Sequence, residues 1–217
     1  MTLRPLEALP GLLAGEPVIA ELLGVDDAVV AVPESARSVV LAAVAALSTS
    51  PTVLVATATA REAEQLVHDL VPFLGADAVE LLPAWETLPF ERVSPATETM
   101  GRRLRTMWRL RHSLAGDLVP ALGPGLPHSA GVVVAPIRAL LQRLGPRVED
   151  AEPVVVRHGE DLVPEDLVAR LARAGYRREY QVEARGEFAV RGGIIDVFGS
   201  TTNPPIRIDL SVTRSSG

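Results

Sequence analysis

The chain has 217 residues, enough for one large hydrophobic core or two small ones, and a formal net charge of -6. Hydrophobic residues make up 47% and charged residues 22%, a balance typical of soluble globular proteins, and no apolar run approaches the roughly 18 residues of a membrane span. The chain contains no cysteine, which excludes disulfides and thiolate catalysis, and its four histidines lack metal-binding spacing. The net negative charge argues against simple polyanion binding. Because the N-terminus also lacks a secretory signal pattern, we expect a cytoplasmic protein without a metal site.

Residues 1–148 predict an α/β domain built on a parallel sheet. Short β-rich apolar runs alternate with helical segments, and these runs lie at residues 28–32, 52–56, 78–82 and 131–135. The best-marked crossover helix is predicted to begin after Thr59 and to end at Gly75. Alternation of this kind is typical of nucleotide-binding folds.

The segment where such a fold would bind phosphate lacks the residues needed for it. A phosphate-binding loop needs glycines, a lysine for the β and γ phosphates, and Ser or Thr for magnesium. After the first predicted strand this chain has "VPESARS", with Pro33 and Glu34, and all 21 of its basic residues are arginine. We therefore expect the fold without ordinary ATP binding or hydrolysis. An α/β domain that never bound nucleotide fits the residues equally well.

An arginine-rich helix is predicted from about Thr97. Its arginines fall on more than one helical face, which favours a solvated surface over a DNA-binding stripe; they are Arg102, Arg103, Arg105, Arg109 and Arg111.

A composition shift near residue 148 marks a second unit, residues 149–217. A helix is predicted at residues 164–175, with Pro164 in its first turn and Gly175 at its end. Four strand-like stretches follow, "REYQV", "EFAVR", "GIIDVF" and "IRIDL". This order predicts a small α+β domain, an antiparallel sheet with the helix on one face.

Within "EFAVRGG", period-two alternation places Phe188 and Val190 on the core face and Arg191 on the opposite face, together with Glu187 and Ala189. The glycines that follow, Gly192 and Gly193, permit a bend or the close approach of a partner. Two further arginines, Arg178 and Arg185, are positioned to gather with Arg191. They form either a binding surface or ordinary surface ion pairs with Glu179, Glu183 or Glu187, and the pattern leaves both interpretations open.

Three stretches carry a resemblance to a known family: "LLPAWETLPFERVSP", "VVVAPIRALLQRL" and "LARAGYRREYQVEARGEFAVRGGIIDVFG". Over about residues 28–209 the chain resembles the N-terminal part of the bacterial transcription-repair coupling factors, which is similar to the nucleotide excision repair protein UvrB. The resemblance implies a degenerate, helicase-like domain 1A without a working ATP site. It further implies a UvrB-like domain 2 that docks onto UvrA.

Carried over by position, the resemblance implies no catalytic residue. It implies that six residues bind UvrA: Arg178, Arg185, Glu187, Phe188, Arg191 and Gly192. Ala189 departs from UvrB, which has a further arginine there. RNA polymerase and DNA are implied as partners only through family domains missing from this chain. The family's ATP-dependent motor domains are missing likewise, so we expect neither a cofactor nor an enzymatic activity in these residues.

Where the family continues with an aromatic and acidic hairpin, this chain reads "RIDLSVTRSSG". We therefore expect a truncated second domain in which "IRIDL" forms an exposed edge. Two alternative functions stay open. The first is a fragment of a UvrB-type ATP-dependent DNA repair helicase, against which the absence of lysine counts. The second is a structural or autoinhibitory module that does not bind UvrA.

Overall fold

The computed structural model describes residues 5–87, 90–115, 131–145, 148 and 152–210. The chain divides into two compact units: Met1–Trp85 with Thr106–Glu149, and Glu86–Arg105 with Asp150–Gly217. The two predicted domains, 1–148 and 149–217, remain a sequence-based prediction. None of the helices in the described residues is long and apolar enough to span a bilayer.

Seven α-helices occur in the described residues: α1 Leu9–Leu12, α2 Pro17–Gly24, α3 Arg37–Leu47, α4 Ala60–Leu74, α5 Thr97–Ala115, α6 Ile137–Leu141 and α7 Pro164–Arg173. Short 3-10 helices lie at Pro5–Ala8, Leu13–Gly15 and Glu34–Ala36. The strands are β1 Val53–Thr57, β2 Val79–Leu81, β3 Val132–Pro136, β4 Arg177–Arg178, β5 Glu187–Arg191, β6 Ile194–Phe198 and β7 Ile206–Asp209. The α/β fold class is confirmed.

The first unit contains a parallel sheet of order β1-β3-β2. Its central strand, β3, is buried along its whole length because both faces are covered. Val132 and Val134 pack into one hydrophobic cluster with α3 and α4 residues, while Val133 and Ala135 pack into a second cluster with Met107 of α5. The apolar run therefore forms a two-sided core strand.

Helix α4 begins and ends at the residues that the sequence predicts. Thr59 accepts a hydrogen bond from the backbone N–H of Glu62, whose carboxylate accepts in return from the N–H of Thr59, which completes a capping box. Gly75 stops the helix with a φ of +83°, a value that glycine adopts without a Cβ clash. Both end signals are confirmed.

The predicted first strand is wrong: residues 28–32 form no regular structure, and Val29 is fully exposed. A β-prone run becomes a strand only where a neighbouring strand supplies hydrogen bonds. In the described part of the chain, β1 pairs with β3 alone. The loop that begins at Pro33 leads into a 3-10 helix at Glu34–Ala36.

Two of the α5 arginines that were predicted to be solvated are buried. Arg103 and Arg109 are buried residues, with 2% and 7% of the residue surface exposed. In the first unit, Arg109 donates to the carboxylate of Glu80 in β2 and to the carbonyl oxygen of Asp77. Charge periodicity along one helix did not reveal the burial of Arg109, because the carboxylate that pairs with it lies on a distant strand.

The second unit contains a four-stranded sheet of order β4-β5-β6-β7. Strands β5, β6 and β7 are antiparallel, as predicted, while the two-residue β4 runs parallel to β5. The N–H of Arg177 donates to Gly186 and that of Glu179 to Phe188, each at 2.8 Å. The chain between β4 and β5 loops back through Gly186, whose φ is +82°, and so delivers β5 alongside β4 in the same direction.

Helix α7 covers one face of this sheet. It begins with Pro164 at its first turn and ends in a Schellman motif, in which the N–H of Gly175 donates to Ala172 and that of Tyr176 to Leu171. The core between helix and sheet contains Leu167, Leu171, Phe188, Ile195 and Val197. The predicted small α+β arrangement is present in the described residues of this unit.

Candidate partner-binding face of the second unit

The sheet of the second unit has an apolar face against α7 and a charged face on its other side. Because residues in register across neighbouring strands share a face, the pairings place Glu187 with Arg177, Ala189 with Asp196, and Asp196 with Arg207. Arg191 lies on the same face as Glu187 and Ala189. We call this the polar face, defined by Arg177, Glu187, Arg191, Asp196 and Arg207.

Arg191 is the last residue of β5, and its side chain is 51% exposed. Its Nη2 donates to Oδ2 of Asp196 at 2.8 Å. The two glycines after it form the tight turn between β5 and β6, with a φ of +60° at Gly192 and open space where a Cβ would lie. The arginine is therefore carried at the end of a strand, beside a backbone turn that a partner can approach closely.

Asp196 holds two guanidinium groups side by side. Its Oδ1 accepts from Nε of Arg207 at 2.7 Å, and its Oδ2 accepts from Nη2 of Arg207 at 3.0 Å as well as from Arg191. The Asp196 side chain is only 12% exposed, whereas that of Arg207 is 65% exposed. Hydrogen bonds from Arg207, and then from Arg191, hold the pKa of Asp196 below its usual value.

Glu187 has a structural role on the polar face. Its Oε2 accepts from the backbone N–H of Ala184 at 2.8 Å and of Glu183 at 3.0 Å, and its Oε1 accepts from Arg177 at 3.3 Å. The hydrogen bonds from Ala184 and Glu183 lower the pKa of Glu187. Its carboxylate therefore fixes the turn before β5 and is not presented to a partner.

Phe188 and Arg185 do not occupy the exposed positions that a direct contact requires. Phe188 is 1% exposed and packs in the core beneath α7, so we correct its role to core packing. The guanidinium of Arg185 donates to the carbonyl oxygens of Gly199 and Thr202 and lies 5.0 Å from the centre of the Phe198 ring. Arg185 thus holds the chain after β6 in place.

Arg178 is exposed, but it lies on the other side of the sheet from Arg191. It is in register with Phe188, a residue of the apolar face, and it makes no hydrogen bond or ion pair with the described residues. The predicted gathering of Arg178, Arg185 and Arg191 is therefore wrong. Arg177 and Arg207 share the polar face with Arg191 instead.

The sequence contains a signal for the position of Arg207 but none for that of Arg177. In "IRID", Arg207 and Asp209 alternate with two isoleucines, which places Arg207 opposite the core. For Arg177, the choice between adjacent arginines depends on the register of β4 with β5. A strand of two residues carries no alternation from which to read that register.

A family model described as the UvrB interaction domain matches residues 154–214. The chain is 42% identical over 184 residues to a transcription-repair-coupling factor of Mycobacterium tuberculosis, covering 85% of this chain and 14% of that protein. It is 33% identical over 181 residues to the transcription-repair-coupling factor of Bacillus subtilis, covering 83% of this chain and 14% of that protein. The chain belongs to the transcription-repair-coupling factor family.

The polar face lies inside the segment that matches the UvrB interaction domain, since that segment includes α7 and all four strands of the second sheet. A third relative, the transcription-repair-coupling factor of Escherichia coli, is 31% identical over 144 residues, covering 66% of this chain and 11% of that protein. This coupling-factor chain corresponds to the N-terminal, UvrB-like module and spans about 14% of the length of its first two relatives named above. The predicted lack of a hairpin after "IRIDL" concerns residues 211–217, which lie outside the described residues.

The depressed pKa of Asp196 predicts that its ion pairs stabilise the second unit only while it is ionised. Its folded-state pKa lies below the usual value for aspartate, so the contribution is present above about pH 4 and is lost as the pH falls through the folded-state pKa. We expect Asp196→Asn to lower stability at pH 6 and to reduce the loss of stability between pH 6 and pH 3. The reduction is partial, because Glu187 titrates in the same direction.

The urea midpoint of the second unit, followed by its amide resonances in NMR spectra at both pH values, measures this effect. Asp161→Asn is the matched control, since Asp161 is exposed in the same unit. An identical pH dependence in the wild type and Asp196→Asn would show that Asp196 does not couple its charge to folding.

Proposed function

We propose that the second unit of this coupling-factor chain binds UvrA, and that the chain is the UvrA-recruiting part of a transcription-coupled repair factor. The observation that carries the proposal is Arg191, half exposed on the polar face inside the segment matching the UvrB interaction domain. A guanidinium presents a planar fork of donors that suits a carboxylate, so the complementary surface on UvrA is acidic. A cytoplasmic location remains part of this proposal.

The binding role is assigned to the exposed members of the predicted set. Arg191 and Gly192 present the surface, and Glu187, Phe188 and Arg185 fix the strand and loops that carry them. Arg178 is exposed on the other side of the sheet. In this proposal it lies at the margin of the contact with UvrA. The whole family's partners, RNA polymerase and DNA, are assigned to regions that this chain does not span.

The chain is proposed to act without an ATPase of its own. Two sequence features support this: the chain has no lysine, and the segment "VPESARS" has Glu34 and no glycine, whereas a phosphate-binding loop needs lysine and glycines. The rival function, a UvrB-type ATP-dependent helicase fragment, requires a nucleotide site in the first unit. Both tryptophans, Trp85 and Trp108, lie in that unit, so a saturable fluorescence change at micromolar ATP would favour the rival.

The proposal predicts salt-sensitive binding of the 217-residue chain to purified UvrA. Exposed charge pairs weaken as added salt screens them, with a Debye length falling from about 10 Å at 0.1 M to about 3 Å at 1 M. We expect saturable binding at 0.1 M salt that is strongly reduced at 1 M. The affinity is measured by surface-immobilised UvrA titrated with the chain. Absence of binding at 0.1 M would favour the structural or autoinhibitory alternative.

A further inference from the structure

The parallel sheet of the first unit has an open edge at β1. Among the residues that the structure describes, β3 is the only strand paired with β1. Leu54 is 57% exposed and Ala56 is also exposed, although both are in register with buried residues of β3, Val133 and Ala135. The layer that covers β3 on this face therefore does not extend over β1. An open edge of this kind is a template for a further strand.

The backbone of β1 has hydrogen-bonding groups directed away from β3 at alternate residues. The N–H of Val53 donates to the carbonyl oxygen of Gly131 at 2.9 Å, at the start of the pairing with β3. Because the N–H and C=O of one strand residue point to the same side and successive residues alternate, Val55 also faces β3. The N–H and C=O groups of Leu54 and Ala56 face the open side. These are the groups that a further strand would bind.

The side chains of β1 do not block such pairing. The strand reads "VLVAT", without a charged residue, proline or glycine, whereas edge strands are commonly protected by charges or proline. Its valines and threonine favour strand pairing. Since like charges facing each other across a strand pair are destabilising, their absence leaves nothing on this strand to repel a second copy of itself.

Strand β1 is also complementary to itself. When two copies lie antiparallel about a two-fold axis at Val55, Leu54 of each copy lies opposite Ala56 of the other. In this register those two residues exchange both of their outward hydrogen bonds, as antiparallel partners do. On the exposed face, each large leucine side chain lies beside a small alanine. Such a contact uses the same surface on both copies, and it closes at two chains.

We propose that two copies of this chain associate through β1, in an antiparallel pair centred on Val55 that joins their parallel sheets into one. This surface lies in the first unit, so the inference is independent of the UvrA contact proposed for the second. Five residues per copy form a smaller contact than the total of about 1,000 Å² that stable interfaces bury. We therefore expect a weak, reversible dimer whose population rises through the micromolar range.

The first test is the mass of the 217-residue chain by sedimentation velocity, from low micromolar to near-millimolar concentration. The wild type is expected to shift from monomer to dimer. Leu54→Lys should raise the dissociation constant about tenfold or more, since a lysine on an edge strand opposes pairing. Leu12→Lys is the matched control: it changes an exposed leucine of α1, outside the sheet, and should dimerise as the wild type does. Wild-type dimerisation of Leu54→Lys would overturn the inference.

Ala56→Pro tests strand pairing separately from apolar contact. Proline removes the outward N–H of Ala56 but leaves the hydrogen bonds from β1 to β3, because the neighbouring residues make those bonds. We expect a loss of dimer comparable to that of Leu54→Lys, with the amide resonances of β3 retained. A dimer of wild-type affinity in this variant would show that the copies do not pair through the strand backbone.

A single cysteine reports the register even if either variant fails to fold, because the chain has no cysteine of its own. Non-hydrogen-bonded partners on antiparallel strands, such as Val55 with its copy, have Cα atoms about 4.5 Å apart, within the span of a disulfide. Val55→Cys is therefore expected to form a covalent dimer on mild oxidation, while Leu12→Cys stays largely monomeric. Equal cross-linking of the two variants, or a wild type that stays monomeric throughout, would overturn the inference and leave the UvrA contact standing.

Discussion

Arg191→Glu is expected to abolish measurable binding of UvrA under conditions in which the wild-type chain binds. The substitution removes a half-exposed guanidinium from the polar face and places a carboxylate next to Asp196. Truncating one partner of a hydrogen-bonded charge pair that is buried in an interface costs about 2 to 5 kcal/mol. Charge reversal adds repulsion, so we expect at least a thirtyfold loss of affinity, or about 2 kcal/mol, measured by the UvrA titration described above.

One control variant and one spectrum show whether this loss comes from the interface. Arg173→Glu makes the same charge reversal on α7, on the other side of the sheet, and should bind within about twofold of the wild type, since exposed charges away from a contact contribute little. The amide spectrum of Arg191→Glu should retain the resonances of β5 and β6, because a half-exposed residue at a strand end is not a core position. Equal retention of UvrA by Arg191→Glu and wild type would remove Arg191 from the binding site.

Glu80→Ala is expected to produce the largest loss of folding stability among the changes considered. The Glu80 side chain is 2% exposed and accepts a hydrogen bond from Arg109, whose side chain is 8% exposed. Removing the carboxylate leaves the guanidinium buried without its charge partner, which typically costs about 3 to 5 kcal/mol. Urea unfolding followed by tryptophan fluorescence measures it selectively, because Trp85 and Trp108 both lie in the first unit with this pair.

The physical cause is tested by removing both charges together. The double variant Glu80→Leu with Arg109→Leu removes both members of this buried pair, and replacement of buried ion pairs by apolar residues is often neutral or stabilising. We therefore expect it to recover most of the stability lost in Glu80→Ala. Glu64→Ala, at an exposed position of α4, should change stability by less than about 0.5 kcal/mol. A single variant within about 1 kcal/mol of the wild type would contradict the assigned role of the pair.

Local sequence signals predicted the local structure well. The ends of α4 and α7 follow from Thr59, Gly75, Pro164 and Gly175, because caps and left-handed glycines act within a few residues of the chain. The alternation of β5 likewise placed Phe188 in the core, since a strand with one buried face repeats every two residues.

The misses arise where a distant strand decides the outcome. Residues 28–32 have strand composition but no strand partner in the described part of the chain. The sequence predicts Arg109 at the surface, because its partner Glu80 comes beside it only in the folded structure. Similarly, only the register of β4 with β5 shows that Arg177, and not Arg178, shares a sheet face with Arg191. Each depends on pairing between segments that are far apart in sequence or too short to show a period.

Amide hydrogen exchange of the chain, alone and with saturating UvrA, tests most directly whether the polar face is the contact surface. We predict slower exchange on binding at the Gly192–Gly193 turn, in the Gln181–Val182 segment and in β7, which surround the exposed arginines. Helix α7 and strands β1 to β3 should exchange at the same rate with and without UvrA. Protection confined to α7, or to the parallel sheet of the first unit, with unchanged exchange around Arg191 and Arg207, would contradict the account.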